Sequence, residues 1–241
     1  MIIDGKKIAE EIIAGLGESL KGKRLGIVVG TEDPATLSFI KIKSRVAERL
    51  GVEVVRGELS ELIKTCDGII VQLPHPRGEE LIAAIPPDKD LDAIGPKPLV
   101  RTPVAEAISE VFVRAGVAAQ GKKAVVVGRG RLVGAPAEGL LRSLGARVSV
   151  VTQKTGSLEE LLDADIVVLG AGEPGLVQPH MLKEGVVLID AGTSEAGGKL
   201  MGDADPSCAR VASVFTPVPG GVGPIAVAMI FRNLAELAKR Q

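Results

Sequence analysis

The sequence has no tryptophan and no tyrosine, only two histidines and two cysteines, and a net charge of −1. Most of these shortages remove a class of function. Two cysteines, Cys66 and Cys208, are too few for a disulfide framework or a zinc cluster. His75 and His180 do not form a catalytic or metal-binding pair by spacing, so no metal is expected and both read as structural. A charge near zero excludes the general electrostatic footprint of a nucleic-acid-binding protein. No apolar run approaches the roughly 18 to 20 residues needed to cross a bilayer. The first residues, MIIDGKKIAEEI, lack the basic region, apolar run and small-residue cleavage site of a signal peptide. The expectation is a soluble, cytosolic protein. The absence of tryptophan and tyrosine itself has no evident physical reason.

What the chain does have is apolar residues, at 46%, and glycine, at 30 of 241 residues. Short β-branched runs recur, each followed by a helical pattern: LGIVVG (25–30) before 34–50, VEVV (52–55) before 58–65, GIIVQL (68–73) before GEELIAAI. This alternation predicts parallel βα units with helices on the sheet faces. The segment 77–103, rich in proline, aspartate and lysine, breaks the rhythm and reads as a domain edge. A helix over 103–115 follows, and a second series starts at Lys122 with KAVVVG, a helix over 134–144, RVSVV, DIVVLG and GVVLIDAG. Two α/β domains are predicted, residues 1–102 plus 220–241 and residues 103–219, with a cleft between them.

The second series carries a strand, a glycine-rich turn and a helix in about 30 residues. Gly128-x-Gly130-x-x-x-Gly134 stands where a dinucleotide pyrophosphate meets a helix N-terminus, although an ordinary βα turn fits the same spacing. An NAD site places an acid at the end of the next strand for the ribose 2′-hydroxyl. Here RVSVV ends in Thr152-Gln153-Lys154-Thr155, with no acid, and Arg129, Arg131 and Lys154 are near in sequence. An uncharged or basic rim accepts a 2′-phosphate that a carboxylate would repel. NADP is therefore the expected cofactor.

In the first series, Asp33-Pro34 reads as an N-cap followed by proline at the first helical position. The helix it starts holds Phe39 and Lys43, four apart and so on one face. From spacing alone Lys43 reads at least as well as a surface lysine. Gln72 ends a parallel strand, which is where α/β proteins bind ligands, though it could equally cap the strand. Further on, residues 216–224 hold three prolines and three glycines in nine residues. Such a segment is either a rigid bend or a place where backbone closely approaches something other than protein.

Taken in order, MIIDGKKIAEEI, VVGTEDPATLSFIKIKSRVAERLGV, DGIIVQLPHP, PPDKDLDAI, GRGRLVGAP, MLKEGVVLIDAGTS, MGDAD and FTPVPGGVGPIAVAM span nearly the whole chain. In that order they resemble the bifunctional methylenetetrahydrofolate dehydrogenase/methenyltetrahydrofolate cyclohydrolases. The resemblance implies an N-terminal α/β folate-binding domain and a Rossmann-like NAD(P)-binding domain. It implies NADP-linked oxidation of 5,10-methylenetetrahydrofolate, hydrolysis of the methenyl product to 10-formyltetrahydrofolate, and a homodimer formed through the cofactor domain. Residue by residue it implies Lys43 as the catalytic lysine, Gln72 as its hydrogen-bond partner, and Asp92 as the acid that holds the pterin ring. Phe39, Pro219, Gly220 and Gly221 fall at substrate positions. Gly128, Arg129, Gly130, Gln153 and Thr193 fall at cofactor positions. Phe39 stands where the family usually has tyrosine, so a hydroxyl beside Lys43 is missing. The segment between VEVV and CDGII is also shortened. Two other readings stay open: another two-domain NAD(P)-dependent dehydrogenase, and a folate- or nucleotide-binding relative with weak or no cyclohydrolase activity.

Overall fold

A computed structural model of the chain describes residues 1–196 and 199–240. The backbone divides into two compact units. One holds Ala9–Pro103 and the chain from Val227 onward; the other holds Met1–Ile8 and Val104–Ala226. Two helices, α1 (Gly5–Leu16) and α7 (Val222–Leu237), begin in the second unit and end in the first.

The first unit is built on three strands, β1 (Arg24–Val29), β2 (Glu53–Arg56) and β3 (Gly68–Gln72). They are parallel, in the order β2-β1-β3. The crossovers are α2 (Pro34–Arg49) and α3 (Leu59–Thr65), and α4 (Gly78–Ala84) follows β3. Alternate side chains part the two faces. Leu25, Ile27 and Ile70 pack with Ile40 and Ala47 of α2, Ile13 of α1, and Ala228, Phe231, Leu234 and Leu237 of α7. Val28, Ile69 and Val71 pack with Leu59 and Leu62 of α3 and Leu81 and Ile82 of α4. Both faces of the sheet are covered, which is why β3 is buried along its whole length. The connection between β2 and β3 is as short as its sequence suggests: α3 has seven residues.

The second unit takes up α5 (Pro103–Ala115) from Val104 and carries five parallel strands. These are β4 (Lys123–Val127), β5 (Arg147–Val151), β6 (Ile166–Leu169), β7 (Val187–Asp190) and β10 (Val214–Thr216), in the order β10-β7-β6-β4-β5. Two short strands, β8 (Ser194–Ala196) and β9 (Lys199–Met201), pair antiparallel beside them. The β4–β5 crossover is α6 (Gly134–Ser143); the links from β5 to β6 and from β7 to β10 use short 3₁₀ turns. The sheet's buried core includes Val125, Val127, Val167, Leu169 and Leu188.

The division corrects the predicted boundaries. Residues 1–8 were expected in the first domain and belong to the second unit, as do Gly220–Ala226. Hydrogen bonds cause this. Ile3 donates to the Phe215 carbonyl at 2.9 Å, Phe215 donates to the Met1 carbonyl at 2.9 Å, and Gly5 donates to the Gly220 carbonyl at 2.9 Å. The first residues thus extend the β10 edge of the five-stranded sheet, with Ile2 bridging Phe215 in parallel.

Candidate functional site

In each sheet the chain leaves the first strand, pairs its next strand on one side, then crosses to pair on the other. That reversal is where open α/β sheets bind ligands, at the carboxyl ends of the strands. In the first unit it falls at the end of β1, flanked by β2 and β3; in the second it falls at the end of β4, flanked by β5 and β6.

Lys43, Gln72 and Asp92 meet in the first unit. Gln72 is the last residue of β3, paired with Val29 at the end of β1, and it is buried. Its Oε1 accepts a 2.7 Å hydrogen bond from Lys43 Nζ. Its Nε2 donates to the Leu73 carbonyl at 2.9 Å, so the amide is fixed at both ends and its oxygen is turned to the lysine. Lys43 is set by α2. Asp33 caps that helix, its carboxylate accepting from Thr36 N at 3.0 Å and from the hydroxyls of Thr31 and Thr36. The Thr36 bonds, with that from Thr31, hold the Asp33 carboxyl down at about 2.

Asp92 comes from the segment after α4. Ile69 N donates to Lys89 O at 2.7 Å and Leu91 N to Ile69 O at 3.2 Å, so Asp90 lies parallel beside Ile69. Two residues on, Asp92 runs toward the carboxyl end of β3. Asn233 of α7 anchors the segment, donating to Leu91 O and Arg101 O at 2.9 Å each. Lys43 and Asp92 are both half-buried. Burial pushes the Asp92 carboxyl up to about 6; the lysine charge opposes the shift and Asp90 adds to it. Burial also lowers the lysine, and the Asp92 charge counters that. The result is an amine and a carboxyl that both titrate closer to neutrality than they would in water.

The turn behind Asp92 is strained. Among the described residues Ala93 is the one non-glycine with φ in the left-handed region, at 53°. Asp90, itself buried, holds it there by accepting from Ala93 N at 3.0 Å and Gly95 N at 2.7 Å. Ala93→Gly is expected to stabilise the fold by about 1 kcal/mol, because glycine adopts this region without the Cβ penalty. Urea midpoints of the two proteins measure it. A lower midpoint for the glycine variant would mean that the alanine is not strained.

Phe39, one turn before Lys43, is 37% exposed at the edge of the same helix face. The inward stripe of α2 runs Thr36, Ile40, Lys43, Ala47, continuing to Leu50 just past the helix, at alternating spacings of four and three. Lys43 thus stands in phase with core positions. That was the signal in the sequence that distinguishes it from Lys41 and Arg45, both exposed.

In the second unit, Gly128 follows β4 with φ 94°, and a Cβ there would lie 2.4 Å from the Gly170 carbonyl oxygen. A Cβ on Gly134 would lie 2.2 Å from the Gly128 oxygen. These two glycines serve backbone packing. Gly130 is different: a Cβ there meets nothing within 4 Å. The start of α6 offers fewer amides than the motif suggests, since Ala135 N is bonded to Gly130 O and residue 136 is proline. The β5 end closes on itself, Thr152 N donating to Thr155 O at 2.8 Å, which leaves exposed Gln153 and Lys154 at its tip. Arg129 and Thr193 are also exposed, at the ends of β4 and β7. Arg129 Nε lies 3.8 Å from a Glu138 carboxylate oxygen, and its side chain is 69% exposed.

The proline–glycine segment is in part a packed bend. Gly221 donates to the Pro217 carbonyl at 2.7 Å, and a Cβ on Gly5 would lie 1.8 Å from the Gly221 oxygen. Gly220, at φ 110°, instead has no heavy atom nearer than 4.0 Å to an added Cβ, so this glycine, like Gly223 at the start of α7, points its missing side chain into open space.

Two units, one with a lysine–amide–carboxyl cluster and one with a glycine turn at a Rossmann-type reversal, define a doubly wound α/β protein with ligand-binding reversals in both sheets. A family profile described as tetrahydrofolate dehydrogenase/cyclohydrolase, NAD(P)-binding domain, matches residues 102–241. The chain is 38% identical over 278 aligned positions to the bifunctional protein FolD of Halothermothrix orenii, with 99% of this chain and 98% of that one covered. Among solved structures, a bifunctional FolD methylenetetrahydrofolate dehydrogenase/cyclohydrolase from Campylobacter jejuni aligns at TM-score 0.91 and 27% identity, covering 100% of this chain and 99% of that one. The Trypanosoma brucei N5,N10-methylenetetrahydrofolate dehydrogenase-cyclohydrolase, complexed with NADP cofactor and inhibitor, aligns at 0.90 and 29%, covering 100% and 97%. The chain belongs to the tetrahydrofolate dehydrogenase/cyclohydrolase family.

Proposed function

We propose that the chain oxidises 5,10-methylenetetrahydrofolate to the methenyl cation with NADP and hydrolyses that cation to 10-formyltetrahydrofolate. The observation that carries this reading is the 2.7 Å bond between Lys43 and Gln72 beside Asp92, all on one α/β unit of a chain in this family. NADP, when bound, accepts the hydride that leaves the methylene carbon. The remaining work falls to side chains. Asp92, ionised at neutral pH, offers two acceptor oxygens to the amino edge of the pterin and fixes the ring. Lys43 acts in hydrolysis. Burial lowers its pKa, and the positive methenyl group lowers it further when bound; both favour the neutral amine that takes a proton from the attacking water. That proton then passes to the ring nitrogen whose bond to the methenyl carbon breaks, the hydroxyl gives up its second proton to solvent as it becomes the formyl carbonyl, and the formyl group stays on the other nitrogen. Gln72 holds the amine in place without adding a charge. Phe39, Pro219, Gly220 and Gly221 are assigned as substrate contacts; the open side of Gly220 supports this for one of them.

For the cofactor, the residues present fit a 2′-phosphorylated nucleotide: Gly130 leaves room, and the β5 end carries Gln153 and Lys154 rather than an acid. Gly128, Gly130, Arg129, Gln153 and Thr193 are the assigned contacts. Arg129→Ala is expected to raise the KM for NADP⁺ by about tenfold and that for NAD⁺ much less, the size of one charge-assisted hydrogen bond. An equal rise for both would place Arg129 at the pyrophosphate. A homodimer in the cytoplasm completes the reading; the family resemblance supports the first, and two free, buried cysteines suit a reducing compartment. Sedimentation tests the dimer.

The test of the whole reading is direct. The protein is mixed with methylenetetrahydrofolate and NADP⁺, and absorbance is followed at the reduced-nicotinamide and methenyl bands. Growth of the nicotinamide band, with a methenyl band that rises and decays, is expected. No change at either band would reject it.

A further inference from the structure

Two buried carboxylates in the second unit have no part in the chemistry above. Asp190 ends β7 and Asp203 lies after β9; they are 1% and 0% exposed. Neither faces a lysine or arginine in any ion pair among the described residues. Both are satisfied by backbone amides instead. Asp190 accepts from Gly192 N at 3.0 Å, Ala204 N at 2.9 Å and Asp203 N at 3.3 Å. Asp203 accepts from Ala171 N at 2.6 Å, Gly172 N at 3.2 Å and Glu173 N at 2.8 Å.

The glycines show how closely the backbone is drawn in. A Cβ on Gly192 would lie 2.1 Å from Asp203 Cγ, and one on Gly202 would lie 2.2 Å from an Asp190 oxygen. Thr216 of β10 closes the far side, its hydroxyl accepting from Asp190 N at 2.7 Å. The chain from one carboxylate to the next ends on the loop after β6. That loop is also tied from above: Ser194 Oγ donates to Gly172 O at 2.6 Å. Ser194 directly follows Thr193.

The same loop is the floor under the glycine turn. Gly128 rests on the Gly170 carbonyl, and Gly170 in turn leaves room for Val133, the residue before α6. The loops after β4, β6 and β7 therefore share one support at the carboxyl edge of the sheet.

We infer that Asp203 is a positioning residue for the nicotinamide cofactor: its carboxylate sets the loop Ala171–Glu173, Ser194 locks that loop to Thr193, and together they shape the surface that receives the nucleotide. The inference rests on the NADP reading above. Asp203 suits this role better than Asp190. Asp203 bonds the amides of Ala171, Gly172 and Glu173 directly, whereas Asp190 bonds only Gly192, Asp203 and Ala204.

Asp203→Asn keeps the shape but turns an N–H₂ group toward backbone N–H groups, so at least one of the three loop bonds is lost. Ser194→Ala removes only the tie between the two loops and leaves the buried pair intact. Binding of NADP⁺ is measured by titration calorimetry, since the chain has no tryptophan to report it. Asp203→Asn is expected to weaken NADP⁺ binding at least tenfold and Ser194→Ala about threefold. In steady state, KM for NADP⁺ should rise while KM for methylenetetrahydrofolate stays within twofold; a purely structural defect would lower the thermal midpoint and move both. If the parent protein binds no NADP⁺, the cofactor reading fails. If the parent binds and both variants bind within twofold of it, the inference alone is overturned. Should Asp203→Asn fail to fold, Ser194→Ala decides: unchanged affinity overturns the inference, a threefold loss supports it.

Discussion

Lys43→Met is expected to reduce hydrolysis of methenyltetrahydrofolate by about 10² to 10⁴-fold, the usual contribution of a general acid–base group. Methionine keeps the long stem and leaves no titrating atom. The hydride step should fall far less, because no proton need move at the methylene carbon while hydride leaves it. Two assays separate the activities: methenyltetrahydrofolate alone for hydrolysis, and methylenetetrahydrofolate with NADP⁺ for oxidation. The fold should tolerate the change, since the variant replaces an amine whose charge burial disfavours with an apolar group on the stripe of Ile40 and Ala47. Gln72 loses a partner for its Oε1, a cost of about 1 to 3 kcal/mol that the thermal midpoint registers. Phe39→Tyr is the companion. Restoring a hydroxyl one turn from Lys43 should leave oxidation nearly unchanged and raise hydrolysis if the amine has too few partners to orient it. A Lys43→Met protein that hydrolyses at the parent rate would remove the lysine from the mechanism.

The strands were legible because parallel strands buried on both faces read as unbroken apolar runs: GIIVQL and KAVVVG became β3 and β4 with little displacement. Helices with a cap and a clear period, such as α2 behind Asp33-Pro34, were legible for the same local reasons. The short 3₁₀ links Leu158–Asp163 and Pro206–Arg210 were not, since at most two turns are too short to show a period. Nor was the assignment of residues 1–8, which rests on hydrogen bonds to Phe215 and Gly220 more than 200 positions away.

The site divided in the same way. The spacing of Gly128, Gly130 and Gly134 marked a cofactor turn, but the close approach that Gly128 and Gly134 permit is backbone on backbone, whereas Gly130 and Gly220 leave open space before them. Spacing from one landmark, Phe39, left Lys43 ambiguous, whereas its phase with Thr36, Ile40 and Ala47 places it inward. The Asp190–Asp203 pair was invisible as a pair. The two are 13 residues apart and meet only through amides, for which no sequence pattern exists.

Asp92→Asn is expected to raise the KM for both folate substrates by about 10 to 100-fold, because both reactions hold the same pterin and lose the same charged acceptor, worth roughly 1.5 to 3 kcal/mol. The effect on pH dependence is more telling. The parent carboxyl titrates near 6, so its hold on substrate should weaken as pH falls through that value. The asparagine variant has no such group and should show a flat KM across the same range. Lys43 responds in the opposite sense. Burial lowers its pKa and the Asp92 charge partly restores it, so deleting the charge lowers it again. If the neutral amine is the base in hydrolysis, the acidic limb of the kcat profile then moves to lower pH in the variant, even as KM rises. A surface carboxylate would produce neither change, and a misfolded variant would lose kcat at every pH without moving the limb. Measuring kcat and KM for hydrolysis from pH 5 to 9 in both proteins tests the pair together. An acidic limb that stays in place would mean that Asp92 and Lys43 are not coupled, and that the lysine's protonation is governed by burial alone.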